Sequence, residues 1–214
     1  MARIHFARSR NTIKLTLDDA IMKSFVIYLE EHELGRNRIP QLIEDAKTLG
    51  WDIEPFPGVN GLTVNWEQQQ IKIDERNNKS FRTMEHPGVK GCFLSHLLLW
   101  KKCIELNESI GIFEYDIDFL KGPPDSINID IVKLSGFDPK PVANTTGQWW
   151  VGTHAYIVSP QGAKKLCEWV ETWGASPSDW LLGTNVVDVE FDDQERVSLG
   201  QYGSTTSNLA GFLN

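Results

Sequence analysis

Apolar positions in this chain follow two rhythms, and the switches between them mark its elements. Phe25-Val26-Ile27-Tyr28-Leu29 is an uninterrupted apolar run of strand length, as expected of a strand covered on both faces. A polar stretch through Arg38 leads into Ile39, Leu42, Ile43, Ala46 and Leu49, whose three- and four-residue spacing predicts a helix stopping at Gly50. Residues 51–57 then read as a second strand, closing on the turn Gly58-Val59-Asn60-Gly61. Strand, helix, strand is how an α/β sheet with helical crossovers begins.

The most informative pattern spans residues 88–119. On a helical wheel Cys92, Phe93, Leu97, Leu99, Trp100, Cys103 and Ile104 share a broad apolar face, opposite Lys101, Lys102 and Glu105. His96 falls inside that face, where a histidine serves either as a satisfied core residue or as a functional group. Ser95, at its edge, can reach a ligand or its own backbone. Asn107 and Gly111 are expected to break the helix, and Ile110, Ile112 and Phe113 to open a buried strand. If extended backbone continues, Glu114, Asp116 and Asp118 project to one side and Tyr115, Ile117 and Phe119 to the other. Carboxylates at the carboxyl end of a strand suit a hard divalent ion that completes its shell with phosphate and water. A solvated acidic strand end has the same sequence.

Residues 62–87 turn polar and suggest an excursion, such as a hairpin, between these two parts. Residues 148–158 resume a strand pattern, residues 159–162 form an abrupt turn, and a helix is expected over residues 163–173. Gly152 permits close backbone approach, Thr153 offers a hydroxyl, and His154 has the same two readings as His96. Trp149 and Trp150 can stack on a sugar ring or fill a core. Asp188, Glu190, Asp192 and Asp193 alternate with apolar residues and read as a solvated sheet edge.

Composition narrows the classes. The chain has 214 residues, 41% of them hydrophobic, which suits one domain with a substantial core. Residues 1–24 read as an N-terminal extension, with Ile13, Leu15 and Leu17 as a candidate edge strand, and residues 25–214 as the domain proper. A formal net charge of −8 argues against nucleic acid as a partner, though not against a local basic pocket. Cys92, Cys103 and Cys167 lack metal-ligand spacing and read as reduced thiols. No run has the length of a transmembrane segment and residues 1–24 lack a signal-peptide centre, so a cytoplasmic location is expected.

Several of these patterns together resemble glycosyltransferase family 25, the lipooligosaccharide and procollagen galactosyltransferase type. Gly88-Val89-Lys90-Gly91-Cys92 with Ser95-His96 is similar to that family's Gly-x-x-Gly-Cys-x-x-Ser-His helix. Glu114-Tyr115-Asp116 matches its Glu-Asp-Asp strand end except at the middle acid, and Tyr28 stands where its first strand has asparagine. Gly152-Thr153-His154-Ala155-Tyr156-Ile157-Val158-Ser159, the turn Pro177-Ser178-Asp179, and the polar segment at 201–208 also resemble family segments, in the same order.

The resemblance implies a glycosyltransferase-A-like α/β fold, a Rossmann-type mixed sheet flanked by helices. It implies transfer of a hexose, galactose from UDP-galactose, to a hydroxyl of a glycan or glycolipid acceptor with inversion. Mn²⁺ or Mg²⁺ would be held by Glu114, Asp116 and Asp118, and the nucleotide-sugar donor by Ser95, His96, Gly152, Thr153 and an arginine after the first strand, Arg36 or Arg38. Asp179, in the Pro-x-Asp turn, would be the general base, with His154 as the other candidate; the competing role for Asp179 is to cap a helix beginning at Trp180. Tyr115 and Tyr28 leave room for a different class of protein, a non-catalytic member that binds a nucleotide sugar or glycan without turning it over.

Overall fold

The structure is a computed structural model that describes residues 22–75, 83–135, 139–141, 148–150 and 152–200. The expected edge strand at residues 13–17 and the polar segment at 201–208 lie outside these residues, as do the side chains of Trp149 and Trp150.

Strand β1 (Lys23–Tyr28), helix α1 (Glu33–Thr48) and strand β2 (Asp52–Pro57) form the opening unit, with β1 and β2 parallel. Helix α2 (Pro87–Leu106) leads into β3 (Ile110–Glu114), which lies parallel to β1 on its other side. Strands β5 (Ile131–Lys133), β8 (Ala155–Val158) and β9 (Val189–Phe191) complete a six-stranded sheet of order β2-β1-β3-β8-β5-β9. Only β8 runs against its neighbours, pairing antiparallel with both β3 and β5. The mixed α/β sheet flanked by helices is therefore the fold expected from the sequence. Two small pairs stand apart, β4 (Ile117–Phe119) with β10 (Val197–Leu199), and β6 (Pro139–Pro141) with β7 (Gln148–Trp150).

Strand alternation builds two cores, one on each face of the sheet. Phe25, Ile112, Tyr156 and Val158 face α2 and α3 (Pro160–Trp173), packing with Phe93, Leu97, Trp100, Leu166 and Val170. Val26, Phe113, Ala155 and Ile157 face the other way, toward Ile39, Leu42 and Ala46 of α1. Each fully buried Leu, Phe or Ile contributes about 1.5–3 kcal/mol relative to exposure, before entropy is counted. No described helix is long and apolar enough to cross a membrane.

Several boundaries differ from expectation for local reasons. Helix α1 begins at Glu33, well before Ile39, because the His32 ring caps it by accepting a hydrogen bond from Gly35 N at 3.1 Å. His86 does the same for α2, accepting from Gly88 N at 3.1 Å, ahead of a proline at the first helical position. Asn107 ends α2 in the left-handed conformation (φ 54°), but Gly111 breaks nothing: it lies within β3, where a Cβ would come 2.5 Å from Ser24 Oγ. Helix α3 starts at Pro160, so the expected turn at 159–162 is its first turn, capped by the Ser159 hydroxyl accepting from Gly162 N. Ile104, placed on the buried face by the wheel, is 38% exposed. Between β2 and α2 the described residues contain a short 3₁₀ turn (Glu67–Gln69) and a single bridge from Ile73 to Ala175, not a hairpin.

Candidate active site

Helix α2 reaches the sheet through its small residues. A Cβ on Gly91 would stand 2.4 Å from Val59 O, and one on Gly61 would stand 1.7 Å from Pro87 O, so the loop after β2 lies directly on the first turns of α2. Ser95 fixes that approach, its hydroxyl accepting from Val59 N at 2.8 Å and donating to Gly91 O at 2.7 Å. The hydroxyl expected to meet a donor is thus engaged by backbone, and Ser95 forms cleft wall. The cleft beside it opens at the carboxyl ends of β1 and β3 and is lined by Tyr28, Val59, Gly88, Cys92, Glu114 and Tyr115 among others.

Glu114, the last residue of β3, is the hub of the polar groups at this corner. Thr153 Oγ1 donates a short hydrogen bond to Glu114 Oε1, and His96 Nε2 lies 3.5 Å from the same oxygen. His154 Nδ1 lies 4.0 Å from Glu114 Oε2 and 3.7 Å from Asp116 Oδ1. These groups come together because β8 is antiparallel to β3: Phe113 pairs with Ala155, so the residues entering β8 meet the residues leaving β3.

His96 is buried at 1% exposure, and its ring position follows from its neighbours. Trp100 Nε1, which can only donate, donates to Tyr156 Oη at 2.8 Å, and that phenol stands 2.8 Å from His96 Nδ1. The imidazole is tied to Tyr156 through Nδ1, with Nε2 turned toward Glu114. His96 is thus a core histidine that orients the carboxylate, and it lies behind the cleft wall. Burial alone would raise the Glu114 carboxyl, but His96, His154 and Thr153 outweigh it and hold it down at about 2. Burial raises Asp116, only partly offset by His154. Burial would lower His154, yet the Asp116 and Glu114 carboxylates raise it.

Asp118 does not join this group. The chain turns at Tyr115 and Asp116, and β4 leaves to pair with β10, so the alternation that would align three carboxylates is broken. Asp118 Oδ1 instead takes an ion pair from Arg38 Nη2 at 2.6 Å. Arg36, the other donor candidate, is exposed on α1, donates to Glu30 O at 2.8 Å and is not part of the cleft lining. Tyr115, which also lines the cleft, is buried in the core on the α1 side of the sheet, near His32.

Gly152 and Asp179 form the far side. Gly152 has φ +90°, and a Cβ on it would lie 2.3 Å from His154 Nε2, so only glycine allows this ring position. Asp179 is not a cap: helix α4 (Ser178–Leu181) begins one residue earlier, with Pro177 at the cap position, and Asp179 Oδ2 lies 3.5 Å from Gly152 N. Sequence reasoning did not single out Lys133. It is 1% exposed, donates to Gly152 O at 2.6 Å, and is lowered to about 8 by burial, opposed by Asp179 and Glu114. The signal was available: a lone lysine sharing a strand face with Ile131 is a buried charge by alternation.

Among the described residues two groups have ligand atoms within 4.8 Å of one another, Glu114 with Asp116 and His154, and Cys92 with His96 and Glu114. The first fits Mn²⁺ or Mg²⁺, since Asp116 Oδ1 is buried with no hydrogen-bond partner among the described residues. The second fits poorly, because burial pushes the Cys92 thiol well above its ordinary value and a hard divalent ion prefers oxygen ligands to a thiol.

Comparison with known proteins bears on this corner. The chain is 29% identical over 172 residues to a "Glycosyltransferase 25 family member" of Aedes aegypti, covering 67% of this chain and 27% of that protein. It is 30% identical over 127 residues to the lipooligosaccharide biosynthesis protein lex-1 of Haemophilus influenzae, covering 46% of this chain and 41% of that one. The chain therefore spans about a quarter of the length of the insect relative. A solved glycosyltransferase involved in glycosylation of the major capsid of PBCV-1 superposes over 67% of this chain and 62% of that chain, with TM-score 0.37 and 11% identity. Residues 21–128, half of the chain and the part that carries β1, α2, Glu114 and Asp116, match the profile of Glycosyltransferase family 25 (LPS biosynthesis protein), and the chain belongs to that family.

Proposed function

We propose that this chain transfers a hexose from a nucleotide sugar to a hydroxyl of a glycan or glycolipid acceptor, with inversion at the anomeric carbon and assistance from Mn²⁺ or Mg²⁺. UDP-galactose is the donor the family resemblance favours. The observation that carries the reading is the Glu114–Asp116–His154 cluster, whose Glu114 lines a cleft on the carboxyl edge of β1 and β3, where open α/β sheets bind ligands.

In this reading the nucleotide occupies the cleft over α2, and Glu114, Asp116 and His154 hold the divalent ion. When bound, the ion supplies Lewis-acid neutralisation of the departing diphosphate. Thr153 and His96 orient the Glu114 carboxylate, so that corner needs little reorganisation. Asp179, approaching the same corner through Gly152, takes the proton of the acceptor hydroxyl as the new glycosidic bond forms. Donor and acceptor are thereby held on opposite sides of one anomeric carbon, which is the positioning part of the rate enhancement.

The test is calorimetric titration with UDP and UDP-hexoses, with and without Mn²⁺, followed by a donor-hydrolysis screen that requires no known acceptor. Metal-dependent nucleotide binding with slow donor hydrolysis supports the proposal. Metal-independent binding without turnover favours a non-catalytic binder, and the absence of any nucleotide affinity overturns both.

A further inference from the structure

The mechanism above leaves the buried Lys133 unused. The Lys133 side chain is buried at the end of β5, and burying an ammonium costs stability that an apolar side chain of equal length would not. It donates to the carbonyl of Gly152, whose own N–H faces the Asp179 carboxylate. Gly152 is thus held on both sides, and the two groups that hold it carry opposite charges that attract each other. The next two residues deliver Thr153 to Glu114 and His154 toward Asp116.

We propose that Lys133 is a positioning residue for the transfer reaction, clamping Gly152 so that Asp179 and the Thr153–His154 pair are set in one fixed relation. This rests on the reading of Asp179 and Glu114 given above. The clamp acts on the reacting geometry and on the Thr153–Glu114 corner of the cleft, although Lys133 itself is not among the cleft-lining residues.

The test uses Lys133→Met and Lys133→Gln in the whole chain. Methionine keeps length and loses the hydrogen bond and the charge; glutamine keeps an N–H for Gly152 O. For Lys133→Met the expected result is a fall in kcat on the order of 10²-fold, the scale of a misplaced catalytic geometry. Its donor KM should rise by less than kcat falls, because only the His154 side of the metal group moves with Gly152 while the rest of the cleft keeps its contacts. Its melting temperature should be equal or higher, and hydrogen exchange at the amides of residues 152–154 faster. Lys133→Gln should recover part of kcat and slow that exchange. A folded Lys133→Met with unchanged kcat, or with unchanged exchange at 152–154, overturns the clamp. A wild-type chain that turns over no nucleotide sugar defeats the reading of the site instead, and the exchange measurement still decides whether Lys133 holds Gly152.

Discussion

At the scale of single residues, the site depends on side chains whose partners are few and identifiable. Asp116 offers a buried oxygen with no hydrogen-bond partner among the described residues, so Asp116→Asn should abolish the Mn²⁺ dependence of UDP binding in calorimetry while the fold persists. Asp118→Asn should leave that dependence in place, since Asp118 is occupied by Arg38. Asp179→Asn should lower transfer by about a hundredfold or more with donor affinity unchanged, the usual scale for a lost general base. Near-normal transfer would make Asp179 structural and His154 the next candidate. Tyr156→Phe removes the hydrogen-bond partner of both Trp100 Nε1 and His96 Nδ1, and should cost on the order of 2–6 kcal/mol in chemical denaturation, since each buried group left unpaired costs about 1–3 kcal/mol. At this scale the sequence was partly legible. Glu114, Asp116, Thr153 and His154 were identifiable from strand alternation and motif, and they do converge. Asp118 was misplaced because alternation assumes a continuous strand, and nothing in Tyr115-Asp116 announces a turn by composition.

At the scale of elements, α2 and the loop after β2 form one unit joined through backbone. Gly91→Ala forces a Cβ against the Val59 carbonyl at 2.4 Å, and neither partner is a flexible side-chain tip. The expected result is a loss of about 1–3 kcal/mol, the cost of overpacking, together with weakened nucleotide binding, because Val59 and Gly91 both line the cleft. Denaturation and UDP titration on the same variant read both effects. Helix α2 was legible in its apolar face and in the glycines of its motif; its start was less so, because histidine caps at His32 and His86 are chosen by local geometry and histidine is no strong capping signal. The pairing of β3 with β8 was invisible, since strand order is set by long-range packing that no local pattern encodes.

For the whole molecule, the concentration of charge at one corner should make stability depend on pH. His154 is raised above its ordinary value of 6.5, so its protonated form stabilises the fold below that value and the contribution is lost as pH rises past it. Glu114 is lowered from 4.5 to about 2, so its contribution is present above 4.5 and lost as pH falls toward 2. Lys133 is lowered from 10.5 to about 8, so its charged form costs stability below 8 and the cost is relieved as pH climbs beyond it. Without divalent ions the melting temperature should therefore be highest in mildly acid solution and decline between about pH 6.5 and 8. His154→Gln should flatten that decline, and a melting temperature that rises steadily from pH 5 to 8 in the wild type would contradict the assignment.

The antiparallel entry of β8 also has a kinetic side. Thr153 meets Glu114 across 39 positions of sequence, and Asp179 meets Gly152 across a further 27, so neither contact can exist before most of the chain has been threaded into place. Long-range strand pairing is slow because loop closure is opposed by entropy before any contact rewards it. The corner around Glu114 should accordingly be among the last parts to form, and a chain that has acquired its helices but not yet docked β8 would have a cleft with no grip on metal. In refolding, metal-dependent nucleotide affinity should lag behind helical circular dichroism and serve as the reporter that folding is complete.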